Sequence, residues 1–176
     1  MMSTPVRRAW ALSLLWIAVI AVESFGGSAG NTGRLLYPLL KFLFPKITFL
    51  HLFQIHFYLR KAGHFFGYCI LSLTLYRSWW TTLMEPGTPH SLSWRDMFRA
   101  WNWRAVILAL AGTLVVAGLD EWHQSFIPGR TAALSDVALD ELGGFLAQSV
   151  IVTISSVAIV RRICKPKAER QPLTSV

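Results

Sequence analysis

A lysine, a histidine and a tyrosine in the stretch KAGHFFGY have the spacing of residues that share one helix face. Lys61, His64 and Tyr68 occupy positions i, i+3 and i+7, and residues at such positions lie close together along a helix. A histidine accepts and donates protons, and a lysine binds anionic groups. This face therefore has the residue types for acid–base chemistry on an anionic substrate.

A second polar stretch, DEWHQSFIPGRTAALSDVALDELGG, contains five carboxylates, one histidine and one arginine between two apolar runs. Asp120 and Gln124 are four residues apart, as are Asp136 and Asp140. Each pair therefore lies on one face if the segment is helical. The stretch adds carboxylates, an amide and a cation to the residue types of the first stretch.

The helix dipole acts differently on two of these aspartates. Asp136 lies near the predicted N-terminus of a helix, which favours an anion, whereas Asp120 lies near a C-terminus, which does not. We therefore expect Arg130 or Lys61 to compensate the charge of Asp120. The Pro-Gly turn before Arg130 can bring that side chain back over the carboxylate.

These polar groups lie within an apolar chain. Of the 176 residues, 53% are hydrophobic and 15% are charged, whereas about a quarter of the residues in a soluble domain are charged. The composition indicates an integral membrane protein with a single domain over residues 1–176. The net charge of +8 does not call for a nucleic-acid partner, because cytoplasmic loops of membrane proteins are rich in Lys and Arg.

Four segments are long and apolar enough to cross a bilayer, which takes about 20 residues. They run over residues 9–25, 61–80, 105–123 and 137–160. The sequence therefore predicts an all-α fold, a polytopic membrane helix bundle with about four transmembrane helices plus interfacial segments. The first segment also fits a signal peptide, but its length and Glu23 favour an uncleaved span.

The distribution of basic residues predicts the orientation of the bundle. With four spans, both termini share one side of the membrane with the connection 81–104. That side carries eleven Lys and Arg residues and the other side carries six, so the positive-inside rule places both termini in the cytoplasm. We expect a protein of the cytoplasmic (inner) membrane with a basic cytoplasmic tail over residues 161–176.

The two longest connections have different compositions. Residues 26–60 begin with glycines and continue as an aromatic stretch with two prolines, which fits either a re-entrant or interfacial segment or a helix packed over the bundle. Residues 81–104 are polar and rich in tryptophan, as is typical of an interfacial amphipathic helix. Within the second span, Gly63 and Gly67 form a GxxxG pattern, which predicts close helix packing.

In this orientation, nearly all the ionisable residues of the four spans lie in the extracytoplasmic leaflet. A charge at the centre of a membrane helix costs roughly 2.5–3.5 kcal/mol, so such residues usually face the bundle interior and pair. The sequence therefore predicts a polar pocket at that end of the bundle. Simpler roles also remain open, with Glu23 among the head groups, His64 bonded to a carbonyl and Lys61 extended toward the interface.

Taken together, the two polar stretches resemble the hallmarks of the VanZ-like membrane proteins. RKAGHFFGYCILSLTLYRS resembles the K-x-x-H-x-x-x-Y-x-x-L element of that family, and the second stretch resembles its acidic pair, Gln, P-G-R turn, Asp and Gly-rich helix entry. The resemblance extends from about Glu23 to about Gln148, and it departs from the family where Asp140 replaces a frequent Asn. It implies a small integral membrane protein, and the founding member is associated with resistance to the glycopeptide teicoplanin.

By position, the resemblance carries over a set of motif residues that form one site. Those residues are Lys61, His64, Tyr68, Asp120, Glu121, Gln124, Arg130 and Asp136, together with Glu23. We assign proton transfer to His64, Asp120, Glu121 and Asp136, and substrate binding to Glu23, Lys61, Tyr68, Gln124, Arg130 and Asp140.

One function that the residues support is an enzyme that acts by acid–base chemistry on a lipid-linked or other cell-envelope substrate, with His64 or Asp120 as the base. The alternative is a protein that binds or shields a lipid or an antibiotic without converting it. The expected partners are membrane lipids and a lipid-linked cell-wall precursor or another anionic lipid, with no nucleic acid. A transporter is disfavoured because the inner halves of the spans are nearly free of charge.

A divalent metal ion is a further use of the same Asp, Glu and His side chains. It is not the favoured interpretation, because the chain has no HExxH motif or comparable ligand spacing. A serine nucleophile is also disfavoured, because no GxSxG motif is present.

Overall fold

The structure, a computed structural model, describes residues 3–26, 29–84, 97–98, 101–127 and 133–163. These residues form five long helices and no strand. We number them α1 (Thr4–Gly26), α2 (Ala29–Leu43), α3 (Phe49–Leu83), α4 (Trp103–Gln124) and α5 (Leu134–Ile163). The prediction of an all-α fold is confirmed. The predicted amphipathic helix in 81–104 and the basic tail from residue 164 lie mostly or wholly outside the described residues.

Two helices begin at side-chain caps that the sequence supplies. Thr48 precedes α3, and its hydroxyl accepts a hydrogen bond from the backbone N–H of His51. Asn102 precedes α4, and its side-chain oxygen accepts from the N–H groups of Arg104 and Ala105. An N-cap of this kind satisfies backbone donors that the first helical turn leaves unpaired, so both starting points are fixed by local chemistry.

Three helices, α1, α4 and α5, are long and apolar enough to cross a membrane. The chain is therefore a membrane protein. The predicted span 61–80 lies within α3, a helix of 35 residues, but α3 is not apolar enough to belong to that group. It packs against α1, α4 and α5, and some of its polar residues, among them Tyr68, Ser72 and Ser78, form hydrogen bonds with them. The crossing by α3 stays a prediction.

Hydrogen bonds between α1 and α3 show that these helices run antiparallel. The hydroxyls of Ser13 and Ser78 are 2.9 Å apart, and near the start of α1 the indole of Trp10 donates to the hydroxyl of Thr82 at 3.0 Å. Further along α1, the indole of Trp16 donates to the carbonyl of Gly67 at 2.8 Å. Later residues of α1 thus lie beside earlier residues of α3.

Of the other neighbours of α3, α4 also runs antiparallel to it. Tyr76 accepts a hydrogen bond from the backbone N–H of Asn102 at the start of α4, whereas Tyr68 reaches Asp120 near the end of α4. In contrast, α5 runs parallel to α3, since Lys61 pairs with Asp136 and Ser72 bonds to Gln148. One end of the bundle therefore collects the last turns of α1 and α4, the first turns of α5 and the part of α3 around residue 64. We call this end the site end.

Gly143 and Gly144 allow a close approach between helices, where α5 meets α3 and α4. A Cβ atom at Gly143 would overlap the carbonyl oxygen of Phe65, and one at Gly144 would lie 3.1 Å from the side chain of Thr113. The expectation that Gly63 and Gly67 serve close packing was wrong. Among the described residues, no atom lies within 4 Å of a Cβ atom built at either of these glycines.

Candidate functional site

Three helices bring a histidine and two aspartates together at the site end. His64 comes from α3, Asp120 from α4 and Asp140 from α5. Each offers one nitrogen or oxygen atom that lies within 4.8 Å of the atoms from the other two. We call these three residues the cluster. Its members are up to 76 positions apart in the chain, so only the packing of the helices can assemble it.

Asp120 is held in place by two hydrogen-bond donors. Its Oδ2 atom accepts from the side-chain amide of Gln124 at 3.1 Å and from the hydroxyl of Tyr68 at 3.4 Å. The i, i+4 spacing within α4 brings the amide there, as the sequence predicts. Tyr68 is 1% exposed, and its ring is stacked on that of His64 with 6.4 Å between the centroids. Tyr68 and Gln124 thus orient the cluster.

Asp140 is the most enclosed carboxylate of the cluster, with 3% of its surface exposed. Its Oδ1 atom lies 3.5 Å from Nδ1 of His64. The same atom is buried and has no hydrogen-bond partner among the described residues. Oε2 of Glu141, the next residue of α5, is likewise buried without a hydrogen-bond partner among the described residues. A buried carboxylate oxygen that lacks hydrogen bonds is costly.

Lys61 forms an ion pair with Asp136, which lies in the first turn of α5. The expectation that Lys61 compensates Asp120 was therefore wrong, because the first turn of α5 reaches this lysine. Both partners keep part of their side chains exposed. The other expected partner of Asp120, Arg130, lies outside the described residues.

Glu121 contacts the residue that directly precedes α5. Its Oε1 atom accepts a hydrogen bond from the backbone N–H of Ala133, one residue before α5 begins. The glutamate therefore anchors the start of α5 on the end of α4. This contact gives Glu121 a positioning role, and its predicted part in proton transfer stays a prediction.

A cavity of about 390 Å³ opens between α1, α2 and α3 beside the cluster. His64 and Tyr68 line it, so the cavity borders the cluster directly. Glu23 lies in the same wall with an exposed side chain. The structure therefore places Glu23 in the cavity and not in the cluster. Gly63 and Gly67 also line the cavity, which fits the open space beside the Cβ position of each glycine.

Comparison with known proteins gives one finding on identity. A protein-family model described as VanZ/LLP1 matches residues 9–155, which is most of the chain. The chain belongs to the VanZ/LLP1 family. No curated protein and no solved structure matches it. The resemblance drawn from the two polar stretches is thus confirmed, and the matched part of this VanZ/LLP1 protein contains the whole cluster and all residues that line the cavity.

Two polar residues of the cavity were absent from the predicted site of this VanZ/LLP1 protein. His56 and Arg60 line the cavity with His64, and the three residues occur at i, i+4 and i+8. That spacing places them along one side of α3 and could have identified them. They were missed because the predicted span began at Lys61, whereas α3 begins at Phe49.

Proposed function

We propose that this VanZ/LLP1 protein binds an amphiphile with an anionic head group at the extracytoplasmic face of the membrane and acts on it by acid–base chemistry. The substrate class is a lipid-linked cell-envelope component. The observation that carries the proposal is the shared position of His64 and Tyr68, which line the cavity and also contact the aspartates of the cluster. A molecule in the cavity therefore reaches the cluster.

The lining of the cavity supports an amphiphilic substrate. One part is apolar, and the other part carries ionisable side chains near the cluster. The apolar residues are Trp16, Val19, Ile20, Leu36 and Leu59, and the ionisable ones are Glu23, His56, Arg60, His64 and Tyr68. An apolar pocket with a few convergent polar groups is the usual form of a small-molecule site. An acyl or isoprenoid chain fits the apolar part, and a head group fits the polar part.

The available charges favour an anionic head group. Arg60 lines the cavity and is partly exposed, and it forms no ion pair with another described residue. A guanidinium binds a phosphate or a carboxylate through two parallel hydrogen bonds. Lys61 is already paired with Asp136, so we assign the head group to Arg60. Arg130, whose predicted role is also in binding, is the second candidate.

The cluster supplies the groups for proton transfer. His64 lies between the cavity and Asp140, which is the arrangement of a general base held by a carboxylate. In the proposed reaction, the imidazole takes a proton from an attacking water or hydroxyl group and returns it to the leaving group. Asp120 and Asp140 stabilise the imidazolium formed between these two steps. Tyr68 and Gln124 hold Asp120 in position.

The side of the membrane and the phenotype are further parts of the proposal. The excess of Lys and Arg predicted on the terminal side supports cytoplasmic termini, and this orientation gives the site end an extracytoplasmic position. The family resemblance adds tolerance of teicoplanin as the trait to examine. We propose that any such tolerance follows from the change that the protein makes to an envelope component.

A comparative inventory of envelope lipids and cell-wall precursors by mass spectrometry tests the proposal. The strains are a deletion, the wild type, and complements carrying His64→Gln, Asp120→Asn or the control His51→Gln at matched expression. His51 is exposed and bonded to Thr48 at the start of α3, outside the cavity and the cluster. We expect one envelope species to change in the deletion, to be restored by wild type and His51→Gln, and to stay changed with the two site variants.

Two results would overturn the proposal. If no species changes while glycopeptide tolerance does, the protein binds or shields without chemistry. If both site variants restore the wild-type inventory, the cluster has no part in the reaction.

A further inference from the structure

We propose that His64, Asp120 and Asp140 bind a single divalent transition-metal ion. The three side chains come from three helices, and one nitrogen or oxygen atom of each lies within 4.8 Å of the others. Imidazole nitrogen and carboxylate oxygen are common ligands of such ions. The inference deepens the proposed function and rests on it for the use of this site, but the binding of the ion is measured without any substrate.

The charge of the cluster supports a cation at this position. Asp120 and Asp140 are 8% and 3% exposed, and among the described residues neither is paired with a lysine or an arginine. The lysine nearest in the chain to the cluster, Lys61, is paired with Asp136. Buried carboxylates in proteins are normally paired or coordinate metals, and the membrane strengthens that requirement.

A second and independent observation comes from Asp140 itself. Its Oδ1 atom is buried, has no hydrogen-bond partner among the described residues and faces Nδ1 of His64 at 3.5 Å. At 3.5 Å, the contact with the histidine is longer than an ordinary hydrogen bond. An ion between the imidazole and the carboxylate satisfies both atoms at once.

Neighbouring side chains hold the proposed metal ligands in fixed orientations. Tyr68 and Gln124 both donate to Oδ2 of Asp120, which leaves Oδ1 of that carboxylate for an ion. Hydrogen bonds of this kind to a ligating carboxylate orient it and tune the metal. The stacking of His64 on Tyr68 restrains the imidazole in the same way. Ligand atoms at about 2.0–2.2 Å from one ion lie at most about 4.4 Å apart, so the three atoms need to approach one another slightly to share an ion.

The number and type of ligands indicate which ion binds and whether the site is structural or catalytic. One imidazole and two carboxylates suit Zn²⁺ or Mn²⁺, and Zn²⁺ is the probe that we choose. Three protein ligands leave a coordination position open, as in catalytic zinc sites. His64 lines the cavity, so a head-group oxygen or a water reaches that position from the cavity. In that case His64 is a ligand and not the base. The ion activates a bound water, whose oxygen bonds to the reacting atom of the head group while its proton goes to the leaving group.

Zinc content of the purified full-length chain tests the inference. Wild type and variants are purified in detergent with chelator-treated buffers, incubated with Zn²⁺, separated from free metal and analysed by mass spectrometry of the elements. We expect about one zinc per chain in the wild type, as for a single site, and its loss in His64→Gln, Asp120→Asn and Asp140→Asn. The controls His51→Gln and Asp136→Asn keep the metal, because neither residue belongs to the cluster.

Thermal unfolding provides the readout for variants that fold poorly. Zn²⁺ that binds only the folded state raises the unfolding midpoint of the wild type, and Asp140→Asn removes that rise. The inference is overturned if the wild type binds no zinc or manganese, or if the two controls lose as much metal as the cluster variants. Metal binding with an unchanged envelope inventory refutes the proposed function alone. If the purified protein binds no metal but the envelope inventory still changes with the cluster variants, this inference alone is refuted.

Discussion

Two parts of the interface between α3 and α5 differ in how far their buried polar groups are satisfied by hydrogen bonds. Two helical turns from His64, the amide of Gln148 donates to the hydroxyl of Ser72 at 2.8 Å and to its carbonyl at 3.1 Å. That hydroxyl in turn donates to the carbonyl of Gly144 at 3.3 Å. At the site end, Asp140 faces His64 with an oxygen that has no hydrogen bond among the described residues. The first part connects neutral donors and acceptors, and the second leaves a carboxylate oxygen unsatisfied.

This difference indicates that the first part contributes to helix association and the second to binding or chemistry. Neutral groups joined by hydrogen bonds hold two helices together at modest gain, about 0.6 kcal/mol on average for each such bond in a membrane protein. An unpaired oxygen also occurs in the first part, at Oε1 of Gln148, but an amide carries no net charge, so its burial costs less than that of a carboxylate. At the site end, the buried Oδ1 of Asp140 belongs to a carboxylate, so its burial costs more in the absence of a ligand or a substrate.

The substitution Asp140→Asn tests the comparison where the expected effect is largest. It keeps the shape and removes the charge, so we expect activity on the envelope substrate to fall by about 100-fold or more, the usual contribution of a positioned acid–base group. Without added metal, the stability in detergent stays equal or rises, because a buried charge is lost. Parallel assays of turnover and thermal unfolding check both parts. Loss of folding together with activity would make Asp140 a structural residue.

The contact at Gly143 is expected to show the next largest effect, and on folding alone. The substitution Gly143→Ala places a methyl group against the carbonyl of Phe65, so α3 and α5 must separate at a cost of about 1–3 kcal/mol. The control Gly63→Ala puts the same methyl group where no described atom lies within 4 Å, and it leaves stability equal or slightly higher. Unfolding in a denaturing detergent measures the pair. Equal stabilities would show that the helices do not meet closely at Gly143.

The neutral hydrogen bonds are the next test. Gln148→Leu removes the two bonds to Ser72, so we expect a loss of about 0.6–2 kcal/mol in the free energy of unfolding. Activity per folded molecule stays near that of the wild type, because the cluster is untouched. The same unfolding assay with an activity measurement on the folded fraction separates the two quantities. A large loss of activity at unchanged stability would join this part of the interface to the site.

The ion pair of Lys61 and Asp136 is expected to contribute least. Its side chains are 27% and 21% exposed, and pairs open to solvent contribute about 0.2–1 kcal/mol. A double-mutant cycle with Lys61→Gln and Asp136→Asn measures the coupling energy between them. A coupling well above this range would mean that the pair is more enclosed than its exposure indicates, and that it belongs with the cluster.

Much of the site could be predicted from single helices. The positions of Lys61, His64 and Tyr68 on one face, and the i, i+4 relation of Asp120 and Gln124, follow from a repeat of 3.6 residues per turn. Both patterns reappear as contacts, since Tyr68 and Gln124 share Oδ2 of Asp120. The membrane class followed from composition in the same direct way, because a bilayer selects long apolar helices whatever their arrangement.

The errors came from relations between helices. Lys61 was expected to pair with Asp120 but pairs with Asp136. Both aspartates lie at predicted helix ends, so the sequence alone did not separate them. GxxxG marked Gly63 and Gly67 as a packing surface, whereas α5 contributes its own pair, Gly143 and Gly144. A pattern within one helix gives the residues of a face but not the neighbour that covers it.

The sequence by itself determined that this is a helical membrane protein of the VanZ/LLP1 family and which residues share each helix face. Those properties depend on composition and on the spacing of residues a few positions apart, and both can be read from the sequence. The tertiary structure alone decided that His64, Asp120 and Asp140 meet and that a cavity borders this cluster. It also decided that Lys61 pairs with a residue outside the cluster. These outcomes depend on the rotation and axial shift of helices that lie far apart in the chain, and packing between their surfaces fixes both.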